Sequence, residues 1–157
     1  SSESEAGEDG YEGACVFMSH QEETYTLADA TGLCYYWVGH HPSPPIGGRA
    51  LIAELISAAT GMNVDEAEVT KIAKRTINLV RAYNVRVGIR RKDDSISGMP
   101  DHSLFTKAVD KWYELKGWDS DGIPTAETLR KFGLDDVRYE LERRGILTVP
   151  PVPVSAT

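Results

Sequence analysis

Apolar positions recur at three- and four-residue steps along most of this chain, the spacing of a helix face rather than of a strand. Over residues 50–60 they are Leu51, Ile52, Leu55, Ile56 and Ala59, and Gly61 supplies a stop. Asn63-Val64-Asp65-Glu66 then offers a capping residue and first-turn carboxylates. The helix that follows runs to about Tyr83 or Val87. Its face is Val69, Ile72, Ala73, Ile77, Val80, Tyr83 and Val87, and Gly88 ends it. Residues 92–100 are polar and turn-rich, which reads as a loop. Leu104, Phe105, Ala108, Val109, Trp112 and Leu115 mark a further helix over residues 103–116, closed by Gly117. Thr125 caps a short helix ending at Gly133, and Asp135 caps a last one ending at Gly145. Strand signals are few: residues 14–18 and 146–149 are short candidates that could pair with each other. The pattern predicts a mainly α fold, about five helices in an orthogonal, bundle-like arrangement, with few or no short strands at the ends.

Composition sets the limits of this picture. The chain has 157 residues, 41% of them apolar, enough for one domain with a hydrophobic core. Residues 1–13 are acidic and Gly/Ser-rich and read as a linker or poorly ordered start. Residues 148–157 form a Pro-rich tail that cannot continue a helix. The helical domain is thus expected over residues 14–147. No apolar run approaches the roughly 18 residues needed to span a bilayer, and no basic-then-apolar start marks a secretory signal. A net charge of −7 argues against nucleic acid and against an anionic membrane surface as partner. Two cysteines, Cys15 and Cys34, are too few for a disulfide framework and fit a reducing, cytoplasmic setting.

The segment with the most chemistry is Asp29-Ala30-Thr31-Gly32-Leu33-Cys34, after a short helix and before the run Tyr35-Tyr36-Trp37. A glycine just ahead of a cysteine lets the backbone bend so that sulfur and amides face one point. A carboxylate five residues earlier can accept hydrogen bonds from a ring amine. One loop would then hold iron through Cys34 and a heterocycle through Asp29. The same residues also read as a buried free cysteine and a helix-capping aspartate.

Three ordered motifs carry a resemblance. Asp29-Ala30-Thr31-Gly32-Leu33-Cys34 resembles the D-x-x-G-L-C motif of the tungsten-containing aldehyde:ferredoxin oxidoreductase family. Asn78-Leu79-Val80-Arg81-Ala82-Tyr83-Asn84-Val85-Arg86, with Gly88, Arg90 and Asp93-Asp94, is similar to a second family stretch. Tyr113-Glu114-Leu115-Lys116-Gly117-Trp118-Asp119, with Gly122, Pro124-Thr125 and Leu129, is similar to a third, and Phe132-Gly133-Leu134 to its close. The resemblance implies a C-terminal part of an enzyme that oxidises aldehydes to carboxylic acids and passes electrons to ferredoxin. It further implies a tungsten (or molybdenum) bis-pterin cofactor and a [4Fe–4S] cluster. Cys34 would be the fourth cluster ligand, Asp29 would bind the pterin amine, and Leu33, after Gly32, would meet the same pterin through its backbone. The partners implied are the N-terminal pterin-binding region of the same protein and ferredoxin. The CxxCxxxC motif that supplies three cluster cysteines is absent here, so the chain alone is expected to hold neither cofactor tightly and to be inactive. No general acid or base is assigned. Val87 and residues 95–98 depart from the family pattern. Two alternatives stand beside this reading: an aromatic acyl-CoA reductase subunit of the same family, and a stand-alone helical interaction module without activity.

Other segments read more plainly. Asp119-Ser120-Asp121-Gly122 resembles the start of a calcium loop, but position 12 is Arg130, leaving an Asp/Gly turn. His40-His41 precede a Pro-rich run and, with His20 and His102, do not form a metal pattern. Gly47-Gly48-Arg49 is too short for a phosphate loop. Arg86, Arg90, Arg91 and Lys92 are expected in salt bridges or in docking, and Trp112, Tyr113 and Trp118 in the core.

Overall fold

The structure is a computed structural model, described here for residues 2–39, 48–95 and 102–147, with side chains of 2–9 and 102 left aside. Seven α-helices make up most of it: α1 (Ser2–Thr31), α2 (Tyr35–Gly39), α3 (Gly48–Thr60), α4 (Glu66–Arg86), α5 (His102–Lys116), α6 (Ala126–Lys131) and α7 (Asp135–Arg143). Among the described residues a 3-10 turn, Arg91–Asp93, sits between α4 and α5. The described residues contain no strand, only one isolated bridge between Trp118 and Pro124. The mainly α expectation therefore holds.

The largest departure is α1. Residues 14–18, expected as a strand, are helical, and so is the backbone through the stretch read as linker or poorly ordered start. Burial explains the misreading. Cys15, Ser19, Glu23 and Leu27 recur every four residues on the buried face, with Thr24 and Ala28 beside them. Half of that stripe is polar, so it leaves little hydrophobic signal. The polar members are partnered: Lys116 Nζ donates to Ser19 Oγ at 2.9 Å, and Arg49 and Lys74 pair with Glu23. The second strand candidate also fails where it is described, since Ile146 and Leu147 lie in a bend after α7. Residues 148 and 149 lie outside the described residues.

Helix α4 is the spine. Asp65 caps it by accepting from Glu68 N at 2.8 Å. At 21 residues it is about 30 Å long, enough to serve two apolar clusters. Its N-terminal half brings Val69 and Ala73 to Leu27, Ala28, Val38, Ile52 and Ala53 of α1–α3. Its C-terminal half brings Ala82 and Val85 to Leu129, Phe132, Leu134 and Leu141 around α6 and α7. The buried stripe is Val69, Ala73, Ile77, Asn78, Arg81, Ala82 and Val85. Ile72, Val80, Tyr83 and Val87, assigned to that face from the sequence, are exposed instead. Two polar residues, Asn78 and Arg81, occupy the inner positions, which rotated the apparent apolar stripe. Thr125 caps α6 as expected, but Leu134, not Asp135, occupies the N-cap of α7 and makes no side-chain cap bond.

Candidate functional site

The 29–34 loop is built by the way α1 ends. Gly32 takes φ +72°, open to an added Cβ sterically but strained for any L side chain. Leu33 N then donates to Ala28 O at 3.0 Å, closing the last turn. Leu33 is half-buried and packs on the α1–α3 cluster. Pinning this one side chain inward leaves its neighbours Gly32 and Cys34 facing out. Cys34 is an exposed free thiol, and its carbonyl accepts from Trp37 N and Val38 N to start α2. Asp29 is exposed in the last turn of α1, a turn without a basic residue. A carboxylate there opposes the helix dipole, and it makes no hydrogen bond or ion pair among the described residues. The bland reading of these two residues is thus corrected: the cysteine is not buried, and the aspartate does not cap a helix N-terminus. Exposed Phe17, Met18, Tyr25, Tyr36 and Trp37 flank the loop in sequence on α1 and α2. Tyr35 stacks on Tyr25 with ring centroids 3.3 Å apart and donates its hydroxyl to Gln21.

Whether these residues suit an iron–sulfur cluster and a pterin is tested by the donors present. The loop offers one accessible thiol and one unpartnered carboxylate on a fixed backbone. Among the described residues no three His, Cys, Asp or Glu side chains gather as a metal site. The donor set therefore fits one ligand to a cluster and one hydrogen-bond acceptor for a ring amine, with further thiolates required from outside the described residues.

The other two motifs form one structural lock. Arg81, on α4, donates from Nε to the Gly122 carbonyl at 2.7 Å and from both Nη atoms to Asp94, at 3.0 and 2.5 Å. The Tyr113 hydroxyl donates to the same carboxylate. Burial by itself would raise the Asp94 pKa, but the bonds from Arg81 and Tyr113 outweigh it and hold the carboxyl below its usual range. Burial and the adjacent Asp94 push the Tyr113 phenol up to about 12. Trp118 Nε1 donates to Asn78 Oδ1 at 2.9 Å, and its ring lies 4.7 Å from the Arg81 guanidinium carbon. An added Cβ on Gly122 would sit 2.1 Å from Arg81 Nη2. These residues tie α4, α5 and the 117–125 turn together.

The remaining candidates resolve similarly. Asp119 Oδ1 accepts from Asp121 N and Ile123 N, both at 2.9 Å, which is an Asx turn and no calcium loop. Arg90 binds the Val85 and Ile89 carbonyls, and Arg91 pairs with Asp110 at 2.7 Å. Arg86 lies over the Tyr83 ring. Arg49 is the partner of buried Glu23. His40 and His41 lie outside the described residues. Tyr113 is buried as expected of core, whereas Trp112 and Trp118 are half-buried and line a cavity. That cavity, with Asn84 at its wall, was not visible in the sequence. Its one signal was an asparagine in the second motif that the lock leaves unused. No helix among the described residues is long and apolar enough to cross a membrane.

Comparison with known proteins agrees with the motifs. Residues 3–134 match the family described as "Aldehyde ferredoxin oxidoreductase, domains 2 & 3". The tungsten-containing aldehyde ferredoxin oxidoreductases of Pyrococcus abyssi and Pyrococcus horikoshii are each 26% identical over 129 residues, 73% of this chain. The chain spans only 20% of the length of those relatives. A solved structure, the active site complex BamBC of benzoyl coenzyme A reductase with 1,5-dienoyl-CoA, superposes with a TM-score of 0.82 at 35% identity. That match covers 89% of this chain and 22% of the other. With the match running through most of its helices, this chain belongs to the aldehyde ferredoxin oxidoreductase family.

Proposed function

We propose that this chain is the helical C-terminal part of a tungsten-pterin, [4Fe–4S] oxidoreductase that oxidises aldehydes to carboxylic acids with ferredoxin as electron acceptor. The observation that carries it is the 29–34 loop: an exposed Cys34 thiol and an unpartnered Asp29 carboxylate on a loop anchored by Leu33, in a chain of this family. In this reading Cys34 is the fourth thiolate of the cluster, and Asp29 accepts from the pterin amine beside Leu33. The metal and its pterins, when bound, supply the redox chemistry. The chain's own part is to position one iron ligand, to hold one edge of the cofactor and to exclude water there with Phe17, Met18, Tyr36 and Trp37. The exposed apolar side chains favour docking on the N-terminal pterin-binding region of the same protein, since large apolar patches rarely face water. The separate 157-residue chain is accordingly inactive.

A second reading, reduction of an aromatic acyl-CoA thioester within the same family, is favoured by the higher identity to the benzoyl-CoA reductase structure, 35% against 26%. The test is the complete protein purified without oxygen. Tungsten or molybdenum, pterin and about four irons are expected, with ferredoxin reduced by aldehydes. Cys34→Ala should remove most of the iron, and Asp29→Asn should lower the pterin content and leave the fold intact. Full iron in Cys34→Ala would sink the ligand assignment. Turnover of benzoyl-CoA without aldehyde oxidation would select the second reading.

A further inference from the structure

Between α1, α4, α5 and the turn at Asp94 lies a cavity of about 570 Å³, within the range of small-molecule sites. One wall is apolar and largely aromatic: Phe105, Val109, Trp112, Trp118, Ile77 and Val80. The polar lining is unusual in its charge. Glu22, Asp93 and Asp94 contribute carboxylates, and the cation among the lining residues is Arg81. All three nitrogens of that guanidinium are already used on Gly122 and Asp94. Glu22 pairs with Lys116 and Asp94 with Arg81, so among the described residues the lining offers an anion no free cation, and the Asp93 carboxylate disfavours one. Asn84 also lines it, half-buried, and its side-chain amide makes no hydrogen bond among the described residues. An amide in such a wall offers both a donor and an acceptor, and a bound molecule that lacks a matching group would leave it unsatisfied.

We propose that this cavity binds a neutral, ring-bearing carbonyl compound or alcohol, with its ring against Phe105, Trp112 and Trp118 and its oxygen on the Asn84 amide. The location gives the site a place in the function proposed above, and this step rests on that reading. Glu22 and Thr26 line the cavity from α1, and Asp29 continues the same helix face at the next step. Asp29 is only about 4.5 Å further along the axis than Thr26. The cavity thus borders the edge assigned to the pterin. A neutral aromatic aldehyde suits it, and the carboxylate formed from that aldehyde does not.

The experiment is equilibrium dialysis of the complete protein, loaded and iron-depleted, with two probes of equal size. 2-Naphthalenemethanol is neutral and 2-naphthoate is anionic. The alcohol is expected to bind at least ten-fold more tightly than the acid in both preparations. Val80 is 54% exposed at the cavity wall, so Val80→Trp can fill the space without disturbing the core, and it should abolish alcohol binding. Asn84→Leu should weaken binding about ten-fold. Equal affinity for the two probes, or unchanged alcohol binding in Val80→Trp and Asn84→Leu, would overturn the proposal. Binding in the iron-depleted protein is read without turnover. A failure of the cluster assignment would therefore show as missing metal with probe binding intact.

Discussion

Single residues in this domain do two different kinds of work, and substitutions separate them. Arg81, Asp94, Tyr113 and Gly122 are structural, and a steric argument predicts how much. Both Gly122 and Gly145 have φ near +70°, so an alanine at either bears the left-handed penalty of about 1–2 kcal/mol. Gly145 is surrounded by open space, but a Cβ at Gly122 meets Arg81 and Tyr113. Gly122→Ala should therefore cost about 3 kcal/mol or more, as expected when a buried ion pair is broken. Gly145→Ala should cost only about 1 kcal/mol. Urea midpoints of the two variants check this, and equal losses would refute the lock. The same cluster sets a pH response. Asp94 has a lowered folded pKa, so its contribution is present above the unfolded value near 3.8 and is lost as pH falls through the lower folded value. Tyr113 is raised, so its contribution is complete below 10 and is lost as pH rises toward about 12. Stability measured against pH should fall at both ends. Tyr113→Phe should remove the alkaline fall and blunt the acid one.

At the scale of elements, capping gives a clean contrast. Asp65 and Thr125 each accept a backbone N–H at their helix N-termini, so Asp65→Ala and Thr125→Ala should each cost about 1 kcal/mol. Asp135 stands inside the first turn of α7 and bonds no cap amide; its ion pair is to Arg138 on the surface. Asp135→Ala should cost a few tenths of a kcal/mol, although the sequence alone would rank it with the other two. Thermal unfolding of the three variants decides the order. That misplacement shows what was legible. Helices α3 to α7 were readable because glycines stop them and apolar residues recur on schedule. Helix α1 was not, because Ser19, Glu23 and Thr24 fill buried positions that a periodicity count expects to be apolar. Lys116, the partner of Ser19, and Arg49 and Lys74, the partners of Glu23, are 26 to 97 residues away, so no local pattern announces them. For the site, the order of glycine and cysteine in the 29–34 loop was readable. The outward turn of Cys34 was not, since it follows from Leu33 packing on a cluster that includes residues as distant in sequence as Ile52 and Val69.

For the whole molecule, the question is what the outer face of α4 is for. Its inner stripe already supplies both apolar clusters, yet Ile72, Leu79, Tyr83 and Val87 remain exposed on the outside. Leu79 and Tyr83 also line a shallow groove against Val137 and Leu141 of α7. A helix apolar on two faces is buried on both in its working state. The matched 73% of this chain is only 20% of the relatives' length, so the proposed remainder of the protein is the natural cover. Covering Leu79 and Tyr83 would contribute about 3 kcal/mol or more in total. Replacing both with lysine should then act in opposite directions in two preparations. In the separate 157-residue chain, Leu79→Lys with Tyr83→Lys should reduce binding of an apolar dye and raise solubility, with little change in unfolding. In the complete protein it should lower the melting temperature or dissociate the domain, because two charges would be buried without partners. If the double variant helped the chain and left the complete protein unchanged, the α4 face would be open in the assembled enzyme. The cover would then be confined to the Cys34 side, where Phe17, Met18 and Trp37 provide the corresponding test.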